Sequence, residues 1–224
     1  MSHCAVIPVI HHLDEATTLA EADLAFRCGA DGVFLIAHGE GNDILPYLVK
    51  KIEKKHLNWF VGMNLLSETP LVAVERAINI GVAGVWLDNS GVSSAGLTEE
   101  GEAIKKLHAQ HPWLKIFAAV SFKGQPYEIF PAQAAEVALA NKFIPTTSGT
   151  QTAVAPSVEK ISIMAEATQG KLAIASGMTC ENVAQFSPYL SWILVASGIS
   201  RDEHHLDEDK TREFIKIVEN TPRA

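Results

Sequence analysis

Short apolar runs rich in β-branched residues alternate along the chain with longer stretches in which apolar residues recur every third or fourth position. The first pattern predicts strands buried on both faces and the second predicts helices; their regular alternation predicts parallel strands joined by helical crossovers. The strands fall over 5–11, 32–37, 58–64, 84–87, 115–120, 142–146, 171–176 and 191–196, and the helices over 17–28, 43–55, 70–80, 98–110, 131–140, 157–168, 181–186 and 207–220.

The punctuation agrees with that division. Thr98 stands before Glu99 and Glu100 as a helix cap, Ser157 precedes a stripe of Val158, Ile161 and Met164, and Gly29, Gly81 and Gly170 fall where helices should stop. The joints Cys28-Gly-Ala-Asp-Gly-Val33 and Ile80-Gly-Val-Ala-Gly-Val85 nearly coincide. In each, the first glycine can take the left-handed backbone that ends a helix, and the second lets a strand start pack closely. An open doubly wound sheet has the same alternation. Eight units without a Gly-rich dinucleotide loop after the first strand instead predict closure into a single-domain (β/α)8 barrel over 1–224.

Composition narrows the classes of partner. With 47% hydrophobic and 20% charged residues, the 224-residue chain has the make-up of one folded domain. Its net charge is −8, and the dense basic cluster Lys50, Lys51, Lys54 and Lys55 lies along one helix, which reads as a solvated face and argues against a nucleic-acid partner. The three cysteines, Cys4, Cys28 and Cys180, are odd in number and scattered, unlike a disulfide framework or a paired metal site, so a reducing cytoplasm is expected. The N-terminal stretch lacks the basic region and cleavage site of a signal peptide, and no apolar run reaches the roughly 18 residues that would imply membrane insertion. Self-association is left open.

In such a barrel the chemistry gathers just past the C-terminal ends of the strands. That rule selects His11, His38, Asn64, Asp88, Lys123, the Thr147-Ser148-Gly149 segment, Ser176-Gly177 and Ser197-Gly198. The two Ser-Gly pairs follow the seventh and eighth strands. Glycine lets the backbone approach a ligand, exposed amides there and at a following short helix could hold a phosphate, and the serine hydroxyls could add hydrogen bonds. Tight-turn formation is the alternative reading of the same glycines. Asp88 could act as a general base or merely shape the Asp-Asn-Ser-Gly turn that it opens. Of His11 and His12, strand geometry allows one to face the mouth, and His11 is the candidate proton donor or hydrogen-bonding group. Lys123 could neutralise a ligand's anion, form a Schiff base, or be an ordinary loop lysine. His38, Glu40, Asn42 and Asp43 crowd the loop after the second strand and could hold a divalent metal, but they match no zinc spacing, and the other reading is a polar loop with Asp43 capping the next helix. The His204-His205 pair reads as solvated surface. No metal and no cofactor are expected.

Four segments carry a resemblance: Val61-Gly-Met-Asn-Leu-Leu66, Ile116-Phe-Ala-Ala-Val-Ser-Phe-Lys123, Thr147-Ser-Gly-Thr150 and Ser176-Gly-Met-Thr-Cys-Glu-Asn-Val183. The last resembles the ribulose-phosphate-binding barrels, and together they resemble the BtpA family over most of the chain. That family is associated with photosystem I biogenesis in cyanobacteria, occurs also in non-photosynthetic organisms, and has no firmly assigned reaction. Lys123 fits its pattern, whereas Ala119 stands where the resemblance implies an acidic residue, and Ser121 and Gly124 where it implies histidines. The expectations are a barrel that binds a phosphorylated small molecule and acts as a lyase, isomerase or transferase, or else a non-catalytic assembly or regulatory factor that keeps the phosphate site.

Overall fold

The computed structural model describes residues 4–175 and 177–223. Eight parallel strands close into a barrel: β1 (Ala5–His11), β2 (Gly32–Ile36), β3 (Phe60–Asn64), β4 (Gly84–Leu87), β5 (Lys115–Ala119), β6 (Ile144–Thr147), β7 (Ala173–Ile174) and β8 (Trp192–Val195). Each pairs with its neighbours in sequence, and β8 closes on β1 in the register Ala5↔Trp192 through Pro8↔Val195. The helices α1 (Glu15–Arg27), α2 (Leu45–Lys55), α3 (Pro70–Ile80), α4 (Glu99–Gln110), α5 (Pro131–Ala140), α6 (Val158–Ala167), α7 (Val183–Phe186) and α8 (Glu208–Asn220) follow the strands in turn. This is the expected (β/α)8 barrel.

Alternate strand residues build two separate apolar layers. Val6, Ile10, Val33, Leu35, Val61 and Met63 pack between strands and helices, while Ile7, Val9, Phe34, Trp86, Phe117, Trp192 and Leu194 fill the barrel's inside. Burial on both faces is why the strands read as continuous apolar runs. The inside is unusually aromatic, with ring centroids 5.0 Å apart for Phe34 and Phe117 and 5.3 Å for Phe117 and Trp192, both edge to face. Room for these rings comes from Gly62 and Gly84, where a Cβ would collide with the rings of Phe34 and Phe60 respectively.

Local boundary chemistry follows the sequence in most places. Thr98 caps α4 by accepting from the Gly101 amide at 3.2 Å, and Ser157 caps α6 by accepting from the Lys160 amide at 3.1 Å. Gly29, Gly81 and Gly170 are left-handed, with φ of 89°, 72° and 71°. Four details differ. α1 begins at Glu15, two residues before the expected start, and is capped by Asp14, which accepts from the Thr17 amide at 2.7 Å. Asp43 does not cap α2: a 3-10 turn over Gly39–Asp43 comes first, α2 begins at Leu45, and the exposed Asp43 carboxylate pairs with Arg76 at 2.9 Å. The seventh unit is compressed, with a two-residue β7 and a four-residue α7. A small hairpin, Val92–Ser93 with Gly96–Leu97, follows β4; it is too short for a periodic signal and is pinned at its tip, where Ser94 donates to Glu128 from its amide at 3.0 Å and its hydroxyl at 2.8 Å.

Three of the four lysines of the basic cluster are paired with carboxylates. Lys50 meets Glu53 at 2.7 Å, Lys51 meets Glu15 at 2.5 Å and Lys55 meets Asp23 at 2.5 Å. Among the described residues no helix is long and apolar enough to cross a membrane.

Candidate active site

A cleft of about 570 Å³ opens at the C-terminal end of the barrel. Its floor is the top of the aromatic interior, with Val9, Ile36, Trp86 and Leu194. Its rim carries His11 at the end of β1, His38 after β2, Asp88 after β4, Lys123 after β5, Gly177 after β7, and Ser197, Arg201 and Glu203 after β8. The structure thus brings His11, Asp88, Lys123, Gly177 and Ser197 to one cavity from five strand ends.

Asp88 is the most buried of the carboxylates that line the cleft. Asn64, at the end of β3, donates to its Oδ1 at 3.2 Å, so Asn64 supports Asp88 rather than lining the main cleft. Burial raises the Asp88 pKa above the ordinary carboxylate value; the Asn64 hydrogen bond and the charge of Lys123 oppose the rise without cancelling it. That is the direction a base working near neutrality requires. Trp86 Nε1, buried in the floor, has no hydrogen-bond partner among the described residues.

His11 lies 3.2 Å from His38, nitrogen to nitrogen. Burial lowers its pKa, the adjacent His38 lowers it further, and Glu203 works the other way. His12 points elsewhere, bonding Thr18 Oγ1 at 2.8 Å. His204, expected on solvated surface, folds back so that its Nδ1 lies 3.1 Å from the His11 carbonyl oxygen. It thereby ties the loop after β8 to the end of β1.

Polar residues at the β5 and β6 ends are occupied with one another. Ser121 adopts a left-handed backbone, with φ of 48°. Its carbonyl accepts from Thr147 Oγ1 at 3.1 Å and from Lys160 Nζ at 2.7 Å. Lys160 Nζ also donates to the Ser148 carbonyl at 2.9 Å, and Ser148 Oγ accepts the Lys123 amide at 2.8 Å. Thr147 and Ser148 are fully buried, and a Cβ at Gly149 would strike the Val154 carbonyl. These three form the frame beneath the loop; none lines the cleft. Lys123 Nζ reaches Thr152 Oγ1 at 3.2 Å on the cleft's edge. Ala119 points into the barrel interior beneath the mouth, and Gly124 is exposed in a left-handed turn.

The Ser-Gly pairs divide similarly. Ser176 lies outside the described residues. Gly177 and Ser197 line the cleft, but Gly198 does not. Both glycines are required by backbone packing: a Cβ at Gly177 would strike the Val154–Ala155 backbone, and one at Gly198 the Met178 carbonyl oxygen. No long helix starts at either turn. Asn182 closes the first by donating to the Gly177 carbonyl at 2.8 Å while accepting from the Thr179 amide at 2.9 Å, and α8 begins only at Glu208. The short helix expected after the first turn is the four-residue α7, and the second turn is itself a 3-10 helix over Ser197–Ile199.

Sequence reasoning missed Arg201, Glu203 and Lys160. Arg201 and Glu203 follow β8 in a loop read as solvent-facing, and no local spacing brings them to His11. Lys160 is the third residue of α6, and lysine is a residue type mostly found exposed. Burial without a neighbouring carboxylate lowers its pKa to about 8.

Fold and site together define a (β/α)8 barrel with a polar cleft at its C-terminal mouth, the usual position for catalysis in this architecture. No family model matches the chain, and no curated protein matches it. Solved structures do. One described as native KDPGal is 15% identical with a TM-score of 0.68, covering 96% of this chain and 95% of its own. A phosphoribosyl anthranilate isomerase, in complex with reduced 1-(o-carboxyphenylamino)-1-deoxyribulose 5-phosphate, is 17% identical with a TM-score of 0.66, covering 96% and 98%. The tryptophan synthase alpha subunit of Legionella pneumophila is 11% identical with a TM-score of 0.68, covering 97% and 93%. At such identities the likeness is one of fold.

Proposed function

We propose that the cleft binds a phosphosugar or phosphoribosyl compound and catalyses a lyase, isomerase or transferase reaction on it, in the manner of a BtpA-like, ribulose-phosphate-binding barrel. The observation that carries this reading is the convergence of His11, Asp88 and Lys123 with Gly177 and Ser197 on one cavity. The phosphate lies against the turns after β7 and β8, where Gly177 and Ser197 line the cleft. Lys123 and Arg201 supply positive charge at the rim. Asp88 removes a proton from the ligand, and His11 hydrogen-bonds an oxygen of it. The similar fold of an isomerase solved with a deoxyribulose 5-phosphate compound supports the ligand class.

A thermal-shift screen with inorganic phosphate and sugar phosphates tests the proposal. A ligand at about 100 times its Kd stabilises the folded state by about 2.7 kcal/mol, a clear rise in Tm. No rise with any phosphate compound would end the phosphate reading. A non-catalytic assembly or regulatory role is favoured by one observation, the presence of Ala119, Ser121 and Gly124 where the family resemblance implies an acidic residue and two histidines. Binding of sugar phosphates without turnover of any of them would select that role.

A further inference from the structure

The reaction proposed above gives His11 one hydrogen bond to the ligand and leaves its close approach to His38 unexplained. The two ring nitrogens lie 3.2 Å apart, on side chains from the ends of adjacent strands. The Glu203 carboxylate comes from a different direction, yet its oxygen and the histidine nitrogens all lie within 4.8 Å of one another. Two imidazoles this close either share one proton or aim both lone pairs at a common cation. For a tetrahedral ion with metal–nitrogen distances of about 2.0–2.1 Å, two nitrogen ligands stand about 3.3–3.4 Å apart, close to the separation observed. A neighbouring carboxylate adds the negative charge that such an ion needs.

We propose that His11, His38 and Glu203 form a binding site for a divalent transition ion of the zinc or cobalt kind. Two imidazoles and one carboxylate are the donor set that suits these ions, and three protein ligands leave a coordination position open. Here the open position faces the cleft, because all three side chains line it along with Asp88. The loop that carries Glu203 is fixed at its base: Arg201 N donates to the His205 carbonyl at 2.8 Å, Leu206 N donates to Glu21 Oε2 at 2.7 Å, and His204 bonds the His11 carbonyl oxygen at 3.1 Å. The third ligand is therefore positioned by the fold. An ion held there would polarise an oxygen of whatever occupies the cleft.

The site stands independently of the phosphate reading, so its test contains no phosphate. Chelator-treated full-length protein, free of any affinity tag, is titrated with Co²⁺ and with Zn²⁺, following visible absorption for cobalt and heat for both. The expected result is saturable binding of one ion per chain, with the intense visible bands of low-coordinate cobalt. His38→Ala and Glu203→Gln should each weaken it by about 10- to 100-fold or more, the range seen even for supporting partners of metal ligands. His205→Ala, which removes a nearby histidine outside the set, should leave it unchanged. Absence of saturable binding, or equal affinity in His38→Ala, would overturn the site. His38 is exposed, so its replacement leaves the folded barrel in place for this comparison.

Discussion

The two sides of the barrel mouth use similar polar residues in opposite ways. Around β5 and β6, Ser121, Thr147, Ser148 and Lys160 satisfy one another, with separations of 2.7–3.1 Å, and Thr147 and Ser148 are fully buried. Around β8, β1 and β2, His11, His38, Arg201 and Glu203 stand on the cleft wall. Asp88 lies between the two regimes, half-buried like the first and lining the cleft like the second. A polar residue past a strand end is therefore not by itself a functional residue. What separates the classes is whether neighbouring loops already supply its hydrogen-bond partners.

The sharpest test of that contrast is Asp88→Asn. It should reduce turnover of a phosphorylated substrate by about 10²- to 10⁴-fold, measured as kcat, because it removes a proton acceptor while keeping its shape. The same variant should not lose thermal stability at neutral pH. Burial raises the folded-state pKa of Asp88, so the ionised form costs stability as pH rises above the ordinary carboxylate range, and the neutral amide escapes that cost. A fall in Tm together with normal kcat would move Asp88 to the structural side. For the wild type, kcat/KM should rise with pH through an apparent pKa above the ordinary carboxylate value.

Gly198→Ala tests the other side. Its Cβ would meet the Met178 carbonyl oxygen, which belongs to backbone and cannot rotate away. A loss of about 1–3 kcal/mol in denaturant unfolding is expected, in line with overpacking elsewhere. Unchanged stability would show that the turn relaxes freely.

Lys160→Met should show its effect through pH. The two hydrogen bonds of Lys160 together contribute about 1–3 kcal/mol. Because its folded-state pKa is lowered to about 8, from an ordinary 10.5, the unfolded chain holds the extra proton between those values. Stability of the wild type should therefore gain on that of Lys160→Met as pH rises from 8 toward 10.5, followed by thermal melts across that range. A flat difference would mean that the amine stays hydrated. The smallest effect expected is that of Lys123→Ala on phosphate affinity. Its amine sits on the open edge of the cleft, where a screened charge is worth about 1 kcal/mol or less, so a weakening of about fivefold in calorimetry is the outcome to look for.

Much of this was legible without coordinates. Alternation of apolar runs with helical periodicity determined eight units and a barrel, because strands buried on both faces leave no polar side to interrupt the run. Local chemistry determined the caps at Thr98 and Ser157 and the helix stops at Gly29, Gly81 and Gly170, since each depends on one residue and its immediate neighbours. Strand ends also gave His11, Asp88, Lys123, Gly177 and Ser197 as candidates that the fold then gathered. What the sequence could not determine was which polar groups face each other. The loop from His38 to Asp43 read as one cluster, yet in the fold Asp43 pairs with Arg76, buried Asn42 donates to Ser67, and His38 meets His11 and Glu203. Those partners lie far apart along the chain, and only closure of the barrel, which brings β8 beside β1, sets the distances between them. Periodicity reports the face on which a residue lies, whereas a site depends on separations between residues from different strands.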